Sequence, residues 1–129
     1  MNEGKLLEKH HKQSVHYLEN AYKFIDAGDA EKASEFLWGS MAQAVKAVAL
    51  SKGIPLEKHG EIWNYVTSLT KELEDKSIYD VFLHANSLHK NFYELEFELK
   101  DVRRMAEDVR ITVGKLLSLI PKRESNGEK

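Results

Sequence analysis

The sequence predicts an all-α protein of four to five helices. Two observations carry this prediction. The 129 residues include only 7 Gly and 2 Pro, and apolar residues recur at steps of three and four along most of the chain, which is the period of an amphipathic helix. The length suits one domain, and we expect that domain to span residues 1–121. The polar segment 122–129 is expected to be a disordered tail.

The first two helices are predicted from about Leu6 to Asp26 and from about Ala30 to Ser51. Gly28 follows the first helix, where its freedom to adopt a left-handed conformation suits a C-terminal cap. Asp29 then offers a carboxylate as the N-cap of the second helix. This second helix is the most apolar segment, so we expect it to be central and buried on most of its circumference.

A third helix is predicted from about Glu61 to Glu74, and Ser77 is a candidate N-cap for the segment that follows. From Ile78 to Ile120 the apolar residues keep helical spacing throughout. One unbroken helix there would be about 65 Å long at 1.5 Å per residue, which is more than the shorter helices could cover. We therefore expect a break within Glu94–Leu99, and one long helix is the alternative.

Composition narrows the classes of function. The chain has no Cys, which excludes thiol nucleophiles and thiolate metal ligands and fits a reducing cytoplasm, where we expect the protein to lie. No segment approaches the ~18 consecutive apolar residues of a membrane span, so no membrane association is expected. The formal net charge of -2 lacks the basic excess of proteins that grip duplex DNA, which is therefore not an expected partner.

The most informative stretch for a binding site is residues 84–93. Asn86, His89 and Tyr93 are spaced as i, i+3 and i+7, so they share one helix face at the border of the buried stripe. An amide, an imidazole and a phenol supply hydrogen-bond donors, an acceptor and a stacking surface, which suit a nucleotide. Lys90 and Asn91 complete this candidate ligand-binding set. A boundary histidine that is hydrogen-bonded for structural reasons is the alternative.

A second candidate surface lies on the second helix, where Glu35, Gln43 and Lys46 follow helical spacing. Charged side chains on a largely buried helix must be paired or exposed in a cleft. We interpret these three residues as ligand-binding members of a pocket wall that faces the His89 stripe. A network of charges at the edge of the helix is the alternative.

No metal site or phosphate loop is predicted. Three of the 6 His cluster near the N terminus without the i, i+4 spacing of a helical metal site, and no GxxxxGK or GxGxxG motif occurs. No cofactor is expected. Acid–base catalysis would depend on His89 and His84, which are the candidate catalytic residues. Trp38 and Trp63 lie on or beside apolar stripes, which favours places in the core over stacking platforms.

Three stretches between Gly28 and Glu94 carry a family resemblance: GDAEKASEFLWGSMAQAVKAVALSKG, the helix KHGEIWNYVTSL and the segment SLHKNFYE. Together they resemble the archaeal PaREP family of small HEPN-like proteins. The resemblance implies an up-and-down bundle of four to five helices that forms a homodimer. Through the wider HEPN group it also implies binding of a nucleotide or single-stranded RNA, and a protein partner such as a nucleotidyltransferase.

The chain departs from RNA-cleaving HEPN domains, which carry an Arg with four to six residues between it and a His on one helix. Counted back from His89, the corresponding positions hold no Arg, and His84 occupies the nearest of them. A guanidinium group is always charged and donates a fork of hydrogen bonds, which an imidazole does not reproduce. The carboxylates within Glu94–Glu98 would also repel phosphate.

Three functions follow from these residues. We favour a non-enzymatic, HEPN-like module that binds a nucleotide or a protein partner in a groove around the His89 helix. A metal-independent ribonuclease that uses His89 and His84 in a dimer cleft is one alternative. A purely structural bundle for oligomerisation or adaptor contacts is the other.

Overall fold

Five helices make up the fold in the computed structural model, which describes residues 2–121. In chain order they are α1 (Glu3–Asp26), α2 (Ala30–Ser51), α3 (His59–Leu73), α4 (Lys76–Asn91) and α5 (Leu99–Ser118). No strand occurs in this part of the chain. The predicted all-α bundle is therefore confirmed, with the larger of the two expected helix numbers. The predicted tail, residues 122–129, lies outside the described residues.

Helix α2 is the centre of the bundle and packs against each of the other four helices. Small and apolar side chains cover most of its circumference, so it can accept neighbours on several sides. Leu37, Met41 and Val45 have no exposed surface. The prediction of a central second helix is confirmed, and its N-cap is the expected one, because the Asp29 carboxylate accepts a hydrogen bond of 3.0 Å from the Lys32 N–H.

Two serines join α1 to α2 through a pair of reciprocal hydrogen bonds. Ser14 Oγ donates to the carbonyl oxygen of Ser40 at 2.8 Å, and Ser40 Oγ donates to the carbonyl oxygen of Ser14 at 2.7 Å. Both residues have no exposed surface, so the hydroxyl groups must find protein partners instead of water. A serine side chain is short, and it reaches a backbone carbonyl of the neighbouring helix only because the two helices approach closely.

Capping residues determine where the helices begin and end, and two of these positions differ from the expected ones. Gly28 has a φ of 80° after α1, as predicted for a left-handed cap. Helix α3 begins earlier than expected, because the Glu61 carboxylate accepts hydrogen bonds from the N–H groups of Glu57 and Lys58 at 2.9 and 2.8 Å. Ser77 is not an N-cap: the carboxylate of Asp75 lies closer to the start of α4 and accepts a 3.1 Å bond from the Ser77 N–H.

The expected break in the long apolar segment is confirmed, and it begins slightly earlier than predicted. Helix α4 ends at Asn91, and residues 92–98 connect it to α5. Within this connection Glu96 has a left-handed φ of 53°, which a continuing helix cannot contain. The Asp101 carboxylate accepts a 2.8 Å hydrogen bond from the Glu98 N–H and caps the new helix. Phe97 packs against the core, which explains its departure from the helical stripe.

Replacing Gly114 with alanine should stabilise the protein by about 0.5–1 kcal/mol, because glycine lowers helix stability by this amount relative to alanine. Gly114 is an exposed residue within α5, and a Cβ there would meet no atom within 4 Å. Urea unfolding followed by circular dichroism measures the change. Gly39 in α2 is the matched control, because its Cβ would lie 3.0 Å from Cδ2 of Tyr17. A smaller gain, or a loss, is expected for Gly39→Ala, and equal gains at both positions would contradict this assignment.

Two substitutions of Ser14 should distinguish the stability contributed by its hydrogen bond from the stability contributed by the close packing of α1 against α2. Ser14→Ala removes one buried hydrogen bond and should lower the free energy of unfolding by about 1 kcal/mol. Ser14→Val removes the same bond and adds bulk to a closed contact, so a further loss of about 1–3 kcal/mol is expected. Chemical denaturation gives both values. A valine variant as stable as the alanine variant would show that space remains between the helices at this point.

Candidate functional site

An aromatic cluster lies where α2, α3 and α4 meet, with Trp38 of α2 at its centre. The ring centroid of Trp38 is 5.3 Å from that of His59, the first residue of α3, and 6.0 Å from that of His89, near the end of α4. The planes of Trp38 and His89 differ by 18°, so these two rings are stacked. We define the ring cluster as Trp38, His59, Trp63, Phe82 and His89.

Phe82 of α4 anchors the ring cluster to the hydrophobic core. Its side chain has no exposed surface, and its ring centroid lies 5.3 Å from Trp38 and 5.5 Å from Trp63. The planes of Phe82 and Trp63 meet at 79°, the edge-to-face arrangement that aromatic quadrupoles favour. The rings that reach the surface therefore rest on a fixed, fully buried side chain.

Trp38 and Trp63 lie at the edge of the core, so the expectation of core positions from the apolar stripes is met only in part. Both are only partly buried and pack against the outside of the core. His59 and His89, which contact Trp38, are exposed. The exposed imidazoles rest on the indole and can themselves stack against a planar group from a ligand. In a fully buried core, by contrast, no ring would be accessible to a ligand.

The candidate residues of α4 have different surroundings. Asn86 lies one helical turn before His89, and its Oδ1 is buried without a hydrogen-bond partner. Asn91 is engaged on its own helix, since its Nδ2 donates to Ser87 Oγ at 3.5 Å. Lys90 is exposed. Asn86 and His89 therefore belong to one helix face as predicted, whereas Asn91 interacts within α4.

Tyr93 lies just beyond α4 and faces the beginning of α2. Its side chain is highly exposed, at 72%. The nearby carboxylate of Glu31, together with those of Asp29 and Glu35, raises the pKa of the Tyr93 hydroxyl. Glu35, expected on a wall that faces the His89 helix, is thus near that helix, although its neighbour there is Tyr93.

Gln43 and Lys46 face α1, and their expected orientation toward His89 is wrong. Gln43 Oε1 lies 2.6 Å from Nδ1 of His10, a hydrogen bond that links α2 to α1. The charge of Lys46 lowers the pKa of the same His10, which places Lys46 on this side as well. The physical reason is that α1 covers the face of α2 on which Ser40 and these two residues lie.

His84 and His89 contact different parts of the bundle. His84 lines a cavity of about 110 Å³ between α4 and α5, whose walls are His84, Ser87, Leu88, Phe97, Asp101 and Met105. His89 instead stacks on Trp38 of α2. Five residues correspond to a rotation of about 140° around a helix axis. Within one chain the two histidines therefore do not form an acid–base pair.

Neither a metal-binding cluster nor a membrane-spanning helix occurs within residues 2–121. No group of three or more His, Asp or Glu side chains in this range is arranged to hold a metal ion. None of the helices described there has the length and apolarity to cross a membrane.

The fold and the site together define a small helical-bundle protein with a cluster of aromatic rings where three helices meet. A family model for the archaeal PaREP1/PaREP8 family matches residues 9–113. The chain belongs to this family, which confirms the family resemblance seen in the sequence. The likeness to the wider HEPN group stays a prediction.

A crystal structure of a protein from Sulfolobus solfataricus has a similar fold, with a TM-score of 0.74. The two proteins share 22% sequence identity, and the alignment covers 84% of this chain and 97% of the other. A comparison with curated proteins gave no match. The fold is thus shared with a solved structure at low identity, and the comparisons supply no activity.

Sequence reasoning missed His59 as a member of the site. His59 follows the loop after α2 and belongs to no apolar stripe, so no periodic signal marks it. Its proximity to Trp38 depends on how α3 packs across α2, which is a contact between distant parts of the chain.

Lowering the pH should destabilise the protein partly through His10. Burial lowers the pKa of His10 below 6.5, the Gln43 hydrogen bond opposes this, and the charges of Lys46 and Lys9 add to it. The unfolded chain then binds the proton more readily than the folded one. The contribution of neutral His10 is therefore complete above pH 6.5 and is lost as the pH falls from 6.5 through the lower folded pKa.

The measurement is the Tm of the wild type and of His10→Gln between pH 7.5 and 5. The wild type should lose more Tm than the variant over this range, because every other titratable group is common to both proteins. Parallel curves for the two proteins would contradict the assignment of this pH dependence to His10.

Proposed function

We propose that the protein is a non-enzymatic binding module and that its ring cluster holds the base of a nucleotide or of single-stranded RNA. The observation that carries this proposal is the stacking of exposed His89 on the partly buried Trp38. His59 contacts the same indole from another helix. Stacking of a base on such rings contributes about 1–3 kcal/mol per base and tolerates any sequence.

Charged and polar groups beside the ring cluster support the same ligand. Lys58 and Lys90 are exposed, and each is adjacent in sequence to a histidine of the cluster. Their ammonium groups can neutralise a phosphate outside the stacked base. Asn86 brings a buried carbonyl oxygen without a partner to the same helix face as His89, which is the type of acceptor that reads an exocyclic amine.

The ribonuclease alternative receives less support. Acid–base cleavage needs two groups within hydrogen-bond reach of the reacting atoms, and His84 lies in the α4–α5 cavity, away from Trp38. The adaptor alternative differs by requiring no ligand at the ring cluster. A nucleotide titration therefore separates the binding module from the adaptor, and an RNA-cleavage assay tests the ribonuclease.

Nucleotides should quench the fluorescence of Trp38. The Trp63→Phe variant leaves Trp38 as the single tryptophan and keeps an aromatic ring beside Phe82. We expect saturable quenching by the four ribonucleoside monophosphates or by a mixed single-stranded RNA of ten nucleotides. His89→Ala in this background should weaken binding about fivefold or more, because a stacking contact of at least about 1 kcal/mol is lost.

The matched control is His84→Ala, which removes the same type of side chain from the other side of α4. Its affinity should equal that of the parent. Absence of quenching by all of these ligands at millimolar concentration would reject the nucleotide site, and equal effects of both substitutions would reject the ring cluster as its location. Gel analysis of the RNA after incubation between pH 5 and 8 tests cleavage, and loss of RNA that depends on His89 would establish the ribonuclease alternative instead.

A further inference from the structure

One end of the bundle combines exposed apolar side chains with a high density of negative charge. It is formed by residues 29–35, at the start of α2, and residues 93–98, between α4 and α5; we call it the acidic end. Tyr93 is 72% exposed and Leu95 is 56% exposed. Large apolar side chains in such positions mark a surface that another molecule can cover.

The two segments of the acidic end face each other. His89 stacks on Trp38 at 6.0 Å between ring centroids, which brings the end of α4 beside the first half of α2. The carboxylates of Glu31, Asp29 and Glu35 lie near the Tyr93 hydroxyl and raise its pKa. The ring of Tyr93 meets the ring of Phe92 edge-on, at 83° and 5.3 Å between centroids. Phe92 itself packs against the core, which holds the exposed phenol in position.

The charge of this end is strongly one-sided, although the whole chain is nearly neutral. The segments 29–35 and 93–98 contain six carboxylates and one lysine. All six carboxylates are exposed. In the part of the chain that the structure describes, Glu98 is the only one of the six with an ion pair, a 3.5 Å contact with Lys100. Lys32, the single lysine, lies over the ring of Phe24 at 5.4 Å.

We propose that the acidic end docks a basic, amphipathic segment of another protein. Charge complementarity identifies the occupant: Arg or Lys side chains would pair with the carboxylates around Tyr93, and a guanidinium could also lie on its exposed ring. Apolar side chains of the same segment would cover Tyr93 and Leu95. Nucleic acids and anionic membranes carry the same sign of charge as this surface and would be repelled.

This docking surface is separate from the ring cluster and goes beyond nucleotide binding. Tyr93 follows His89 by one helical turn but turns toward the start of α2, whereas His89 stacks on Trp38. The two surfaces can therefore be disabled independently. The Glu31→Gln variant, which changes no residue considered for the nucleotide site, should leave the quenching of Trp38 by nucleotides unchanged.

The test uses two fluorescein-labelled peptides of 14 residues with identical leucine positions and either Arg or Glu at every polar position. Fluorescence anisotropy with the full-length protein at 50 mM salt should show binding of the Arg peptide alone. Glu31→Gln/Glu35→Gln and, separately, Tyr93→Ser should each weaken that binding at least tenfold. Raising the salt to 500 mM should weaken it in the wild type as well, because exposed charges are screened.

The control variant is Glu19→Gln/Asp108→Asn, which removes two exposed carboxylates outside the acidic end and should bind the Arg peptide like the wild type. Equal weakening by both double variants would overturn the proposal in favour of general charge attraction. Equal binding of both peptides would show that apolar contact alone holds them, which would also overturn the proposal. Tighter binding of single-stranded RNA to the same surface would also overturn the proposal. So would a stable dimer of the wild type, measured by light scattering, if the Glu31→Gln/Glu35→Gln variant were monomeric.

Discussion

The reciprocal hydrogen bonds between Ser14 and Ser40 set the arrangement on which the rest of the bundle depends. They hold α1 against one face of α2 at a distance that only small residues permit, and Gly39 allows Tyr17 to pack along the same contact. With that face covered, α2 has only its other sides left for α3, α4 and α5. Trp38 lies on the side toward α3 and α4, so the position of α1 indirectly determines where the ring cluster forms.

Much of the fold follows from local information. The bounds of α2 are those predicted, because Asp29 and the glycine after the helix act within a few residues of its ends. The break before α5 could also be anticipated, since Phe97 leaves the apolar stripe. The N-cap of α4 could not be anticipated, because Asp75 and Ser77 are both residue types that cap helices. In the structure the Asp75 carboxylate takes this role. Periodicity identifies which residues form a face, and capping chemistry identifies where the helix begins.

The site was less predictable because it depends on which neighbour covers which face. Periodicity predicted a common face for Asn86 and His89, but it could not predict that Gln43 and Lys46 would face α1. Nor could it place His59 against Trp38, since that contact joins residues from different helices. The separation of His84 from His89 is different in kind. It follows from the angle of about 140° that a five-residue spacing implies on an α-helix, even though the sequence suggested the two histidines as partners in catalysis.

The connection between α4 and α5 has a consequence for how copies of this chain can exchange parts. The apolar spacing continues from Ile78 to Ile120 across residues 92–98, so the hydrophobic pattern alone does not oppose a straight helix. The bend rests on the left-handed Glu96 and on the Asp101 cap. If the bend straightened, α5 would leave its own core and could fill the vacated place in a second molecule, which is three-dimensional domain swapping. The left-handed Glu96 and the Asp101 cap thus favour packing of α5 against the helices of its own chain.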